Sequence, residues 1–237
     1  MLAIHRAALA LSLAALTTGG CVRQVFSPPA GYLSLDGPDR LEEGKSTLGG
    51  SLGVGGIGIG ADIAGGNVLY KRGLGAVELD AEGAVVAITE KSKADTFPAI
   101  LSTRVGLKGR IVPGFRHLAW RAGLGFGGSA GGTFGASDLG LVLGWENPYA
   151  TPFVGLSGMV SLPFSSRTVD ISNPDDETPV TDHPVTSGGV ALTLGLAVHI
   201  GPSDAMLNLG VSRLQLWDIH GVEEEVTSAA LGFAIPL

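Results

Sequence analysis

This 237-residue chain holds one cysteine, three tryptophans and three tyrosines, and charged residues make up only 16% of it. With Cys21 alone no internal disulfide can form, so the fold must be held by packing and hydrogen bonds. Charge this sparse is too thin to cover a water-exposed surface, which normally carries about 25–35% Lys, Arg, Glu and Asp. Fifteen basic residues against 22 acidic ones leave a net charge of -7 and no basic patch, which argues against nucleic acid as a partner. No apolar stripe at helical spacing appears after residue 22. What the chain has instead is glycine, 38 of them, about twice the usual share of roughly 7%. They follow no three-residue period, so the chain is not collagen-like, and with 45% apolar residues it is not disordered.

The N-terminus carries Arg6 and then an uncharged segment from Ala7 to Val22. Its length of roughly 15 residues is short for a membrane-spanning helix and fits a secretory signal peptide. Thr18, Gly19 and Gly20 lead into Cys21, a run of small residues before a lone cysteine. It resembles a bacterial lipobox, which implies lipidation of Cys21, although Thr18 stands where that motif usually has Leu. Residues 22–45 mix Pro, Gly and charge without a period and read as a linker, with at most one short strand near Tyr32 to Leu35.

From there a period of two takes over. Between Ala99 and Ile111 the odd positions include Leu101, Val105 and Leu107, while the even ones are Ser102, Arg104, Gly106, Lys108 and Arg110. Val77, Leu79 and Val85 oppose Glu78, Asp80 and Glu82; Leu118, Trp120, Leu124 and Phe126 oppose Arg121, Gly123 and Gly125. The same alternation runs through Leu139–Trp145 (Val142 excepted), Val154–Phe164, Val190–Ile200, Leu207–Val211 and Leu231–Leu237. One face of every strand is bulky and apolar. The other is Gly, Ala, Ser and isolated charge, too small and too weakly charged to meet water, so the bulky face is expected to meet lipid.

Connections near 113–114, 146–148 and 201–203 are expected to be short, and those at 89–97, 128–136, 165–186 and 217–225 longer. Phe115, Trp145, Tyr149 and Phe153 lie by the short turns, and Phe97, Phe126, Phe164 and Trp217 by the long ones, as two interfacial aromatic girdles. On these residues the region from 46 to the end resembles the small outer-membrane β-barrels of Gram-negative bacteria. The fold expected is all-β, an antiparallel up-and-down transmembrane barrel of 8 to 10 strands, nine of them recognised directly, with a tenth sought in the linker or in residues 63–73. The division expected is a signal peptide over 1–20, a lipidated linker over 21–45 and the barrel over 46–237. The resemblance implies outer-membrane localisation, contact with outer-membrane lipid, and delivery by the barrel-assembly machinery, for which the alternating C-terminus through Leu231, Phe233 and Ile235 would be the signal.

Gly53-Val54-Gly55-Gly56-Ile57-Gly58 matches the dinucleotide fingerprint G-x-G-x-x-G, with Glu78 and Asp80 about 20 residues on. It lacks the apolar strand before and the helix after that such a site needs. The parity shift at Gly55-Gly56 reads instead as a bulge, which would put Ile57 and Ile59 on the lipid side with Leu52 and Val54.

Glu78, Asp80 and Glu82 should face Arg104, Lys108 and Arg110 across neighbouring strands as a lumen charge network, with a charged pore lining as the functional alternative. His199 is a possible lumen polar site, with Ser157, Ser161 and Ser212 in the same interior. The acidic loop with Asp170, Asp175, Asp176, Glu177 and Asp182 lacks calcium-loop spacing and reads as solvated. No catalytic residue, cofactor or metal is assigned. The functional expectation is a non-enzymatic outer-membrane barrel with a structural or surface-interaction role, or a narrow pore. The alternatives are an intramembrane lipid-modifying hydrolase or acyltransferase, and a soluble periplasmic lipocalin-like binding barrel with its bulky face inward.

Overall fold

Alternation this regular leaves each strand one way to sit in a sheet, because a slip of one residue would exchange its two faces. The computed structural model describes residues 35–38, 40–57, 61–90, 99–112, 114–145, 147–167, 169–170, 181–201, 205–219, 221 and 223–237. The signal peptide, Cys21, Ile59, Phe97 and the acids at 175–177 lie outside the described residues.

Ten antiparallel strands close into a barrel: β1 (Ser46–Ile57), β2 (Ala61–Gly73), β3 (Val77–Glu90), β4 (Ala99–Arg110), β5 (Leu118–Ser129), β6 (Gly132–Gly144), β7 (Ala150–Ser166), β10 (Ser187–Ile200), β11 (Ala205–Asp218) and β12 (Glu223–Pro236). A small hairpin, β8 (Val169–Asp170) with β9 (Thr181–Asp182), lies within the connection from β7 to β10. The strand added to the nine is β2, so the number is even and both chain ends leave by one mouth, here called the terminus end. The barrel closes where β1 pairs with β12, from Thr47 opposite Pro236 to Ile57 opposite Val226.

The bulky residues point outward. Leu52 is 75% exposed and Leu124 72%, and Val105, Leu139, Leu156, Leu194 and Phe233 stand in the same belt. Leu101, on the same parity, is half-buried. Such a band of exposed aliphatic side chains on a closed barrel is a lipid-facing surface, and it excludes the inward-facing arrangement of a lipocalin-like binding barrel. The belt is bordered by exposed Phe115, Trp145 and Tyr149 toward the terminus end and by Phe126, Phe164 and Trp217 toward the other, here called the loop end. Phe126 and Phe164 stack with centroids 5.9 Å apart.

Four expectations are corrected. The pairing of β1 with both neighbours runs through Gly55-Gly56 without a register shift, so there is no bulge. Ile57 therefore faces inward, where it packs on an apolar cluster, because the lipid-facing set ends with Val54. The register irregularity lies on β6, between Thr133 and Phe134. Phe153 is 6% exposed and faces inward, because it shares the parity of Thr151 and Gly155 and its ring lies where a Cβ on Gly195 would stand. The expected long loop over 128–136 is a two-residue turn at 130–131. Gly132 ends that turn at φ 125, where its missing Cβ also leaves room for the carbonyl of Ser165. The connection expected at 217–225 is likewise short, running from 219 to 222 between β11 and β12.

Toward the loop end the two faces exchange character. Inside, Ile63, Val86, Ala191, Leu214, Leu216 and Val226 form a buried cluster, with Ile57, Ile88, Ile100 and Met159 packed against it. Outside, Arg213 and Glu225 pair at 2.6 Å between β11 and β12, exposed to solvent. Trp217 stands four residues further out on β11, so the exposed pair lies at the interface that the aromatic border marks.

Candidate functional site

The lumen is built from positions two apart on β3 and β4. In the β3–β4 register Glu78 lies opposite Lys108 and Glu82 opposite Arg104. The Lys108 side chain has no exposed surface to speak of, and its ammonium lies 2.9 Å from Glu78 Oε1, 3.0 Å from Asp36 Oδ1 and 3.2 Å from the carbonyl of Gly37. Two carboxylates and a backbone carbonyl thus surround the ammonium, which is what burying one requires.

Arg104 does not take its register partner. Its guanidinium donates to Asp80, diagonally across β3, and forks onto Asp138 of β6 at 2.7 Å (Nε to Oδ2) and 2.8 Å (Nη2 to Oδ1). To reach β6 it must cross β5, and it does so over Gly123, where any Cβ would collide with the guanidinium. Gly106 makes the same allowance beside Asp80. A two-pronged contact of this kind is among the strongest a carboxylate can make. Glu82 is left to Asn67 of β2, which donates from Nδ2 to Glu82 Oε1 at 2.6 Å and accepts at Oδ1 from the Ser51 amide and hydroxyl at 2.7 and 2.8 Å.

The sixth expected member, Arg110, is not brought into this network. It stands at the terminus-end mouth with Arg40, Arg116 and His199. His199 faces inward as expected, but it pairs with Met206 near the end of β10, whereas Ser161 pairs with Ser187 twelve positions away. At about 3.3 Å per residue these are opposite ends of the barrel. Ser212 bonds Ser228 at 2.7 Å. Ser157, Ser161 and Ser212 are thus not set beside His199 as a nucleophile beside its base.

Four further residues complete the network: Asp36, Lys71, Arg121 and Asp138. Lys71 of β2 pairs with Asp36 and lies 3.8 Å from Glu78, and Arg121 lies 3.9 Å from Asp138. Asp138 lies on the inward face of β6, at the parity opposite Leu139 and Leu141, whereas Lys71 belongs to the strand whose alternation is broken by Gly65, Gly66 and Asn67. Asp36 comes from the segment read as linker. Residues 35–38, followed by 40 and 41, enter the lumen from the terminus end. Leu35 packs on Gly210, Pro38 is buried against Gly144, and the Leu41 amide donates to Glu78 Oε2 at 2.8 Å.

Two small spaces lie in the interior formed by the described residues. One of about 100 Å³ lies between Asp36, Asn67 and Asn208, and one of about 10 Å³ between Arg121, Phe153 and Thr193. Charge network, inserted segment and apolar cluster together fill the barrel along its axis. Among the described residues no three His, Cys, Asp or Glu side chains are grouped to hold a metal ion.

No family model matches this chain, and no curated protein is similar to it in sequence. Among solved structures it is similar to the N-terminal β-barrel domain of OprF from Pseudomonas aeruginosa, at 7% identity over 80% of this chain and 97% of that one, with a TM-score of 0.37. It is similar to Neisserial surface protein A at 9% identity over 81% and 95% of the two chains, TM-score 0.39. The outer membrane protease OmpT from Escherichia coli is 10% identical over 87% and 99%, TM-score 0.44. At these identities the likeness is one of barrel form and reaches no residue of the lumen.

Proposed function

We propose that this chain is a non-enzymatic β-barrel of the Gram-negative outer membrane, closed to solutes, with a structural or surface-interaction role. The observation that carries the reading is the filled lumen. An open channel needs a continuous wet path, whereas here Arg104 and Lys108 hold carboxylates from β3, β6 and residue 36 across the barrel, and ten apolar side chains close the loop end. In this reading the chain is exported by its signal peptide, lipidated at Cys21, and assembled by the barrel-assembly machinery with its terminus end in the periplasm. The 14 residues from Cys21 to Leu35 reach at most about 50 Å, enough for a lipid on Cys21 to lie in the bilayer surface beside the mouth.

Single-channel recording in planar bilayers tests the closure. The purified protein is expected to give no steady conductance steps, and steps of uniform size from the wild-type barrel would overturn the reading. Intact-mass analysis of the protein against its Cys21→Ser variant tests the lipid, a mass difference of an acylated cysteine being the expected result.

A further inference from the structure

Outside the filled lumen, the mouth at the terminus end stays open to its surroundings. It encloses about 820 Å³, within the range of about 300–1,000 Å³ usual for ligand sites. Four of the chain's fifteen basic residues, Arg40, Lys45, Arg110 and Arg116, line it together with His199, in a protein of net charge -7. The acid side chain on the wall is Glu42, which Lys45 holds at 2.9 Å. Arg40, Arg110 and Arg116 form no ion pair among the described residues, unlike Arg104 and Arg213.

A second observation is independent of the charge. Thr151 on the same wall has 0% exposure, and its hydroxyl has no hydrogen-bond partner. The buried Nε of Arg40, which also lines the mouth, has none either. Buried polar atoms are nearly always paired, so two orphans on one wall call for an oxygen-bearing partner. Arginine forks fit planar or tetrahedral oxyanions.

We propose that this mouth binds an anion bearing phosphate groups, held by Arg40, Arg110 and Arg116, with the Thr151 hydroxyl donating to one of its oxygens. Arg116 is exposed between Phe115 and His117, and His117 stacks on Trp145 at 4.6 Å. That aromatic rim brings the site to the level of lipid headgroups. The phosphate can thus belong to an anionic phospholipid or to a soluble molecule.

The test is calorimetric titration of inorganic pyrophosphate into the full-length protein in a neutral maltoside detergent at low salt. Saturable binding is expected, weakened about tenfold or more in Arg110→Gln/Arg116→Gln and several-fold in the near-isosteric Thr151→Val. The control Arg213→Gln, on the outer wall at the loop end, should bind as the wild type does. Far-UV circular dichroism and a melting curve establish that each variant is folded. Absence of saturable binding by the wild type, or an equal loss in Arg213→Gln, would overturn the proposal. Nanodiscs separate the two sources. Binding abolished in phosphatidylglycerol but kept in phosphatidylcholine assigns the site to a headgroup, and equal binding in both assigns it to a soluble phosphate.

Discussion

Lys108 can lie in the barrel only because oxygens of Glu78, Asp36 and Gly37 surround its ammonium, and Asp36 turns both carboxylate oxygens to it. Removing that partner strands two cations, Lys71 and Lys108, in a space with no bulk water. Asp36→Ala is therefore expected to cost about 3–5 kcal/mol, measured by urea unfolding in micelles followed through tryptophan fluorescence. Arg213→Ala breaks an ion pair on the exposed wall and is expected to cost no more than about 1 kcal/mol in the same assay. Equal costs at the two sites would show that the lumen is wetter than its packing implies. The reach of Arg104 is likewise a matter of single residues. Glu82 is its register partner, yet the fork goes to Asp138, because Gly123 removes the one side chain that would stand in the way.

Strands explain why glycine is so common here. Several inward or outward glycines lie under a ring on the neighbouring strand: Gly195 under Phe153, Gly135 under Phe164, Gly109 under Trp120 and Gly188 under Trp217. A Cβ at Gly195 would enter the Phe153 ring, so Gly195→Ala is expected to cost about 1–3 kcal/mol. Phe153→Leu in the same chain should recover part of it, a coupling read from a double-mutant cycle. Gly158, where an added Cβ meets nothing within 4 Å, is the control and should tolerate alanine. The alternation of faces was legible at this scale, since it depends only on side-chain parity. Glu78 and Lys108 could be matched from parity and strand order alone. Asp36 could not, because a segment held by side chains rather than by a ladder has no period to read. The inward turn of Ile57 was hidden for a different reason. The apolar interior at the loop end reverses the rule that holds along the rest of the strand, so an apolar residue there resembles a lipid-facing one. Continuing the parity of Ser212 to Leu214 and Leu216 is the signal that reveals it.

For the whole molecule, the belt and the reversed loop end together place the barrel in its bilayer. Leu124→Arg, in the belt, is expected to cost about 2–4 kcal/mol when the protein refolds into lipid vesicles, with a smaller cost of about 0–1 kcal/mol for an arginine near the interface. Gln215→Arg, beside Arg213, is the near-interface case. Similar costs at both positions would move the membrane boundary. The seam between β1 and β12 bears on time rather than position. It joins Thr47 to Pro236 and ends with the Leu237 amide on the Ser46 carbonyl, so almost the whole chain must be made before the first of its hydrogen bonds can form. Pairing over so long a stretch of chain is slow. Until it is complete two open strand edges invite other chains. Residues 35–38, 40 and 41 are held by side chains of β2, β3 and β4 and pack on glycines of β6 and β11, and are thus placed to draw the early and late strands around one thread. A chain shortened to begin at Ser46 is therefore expected to close later and aggregate more, even where the sheet it finally reaches is the same.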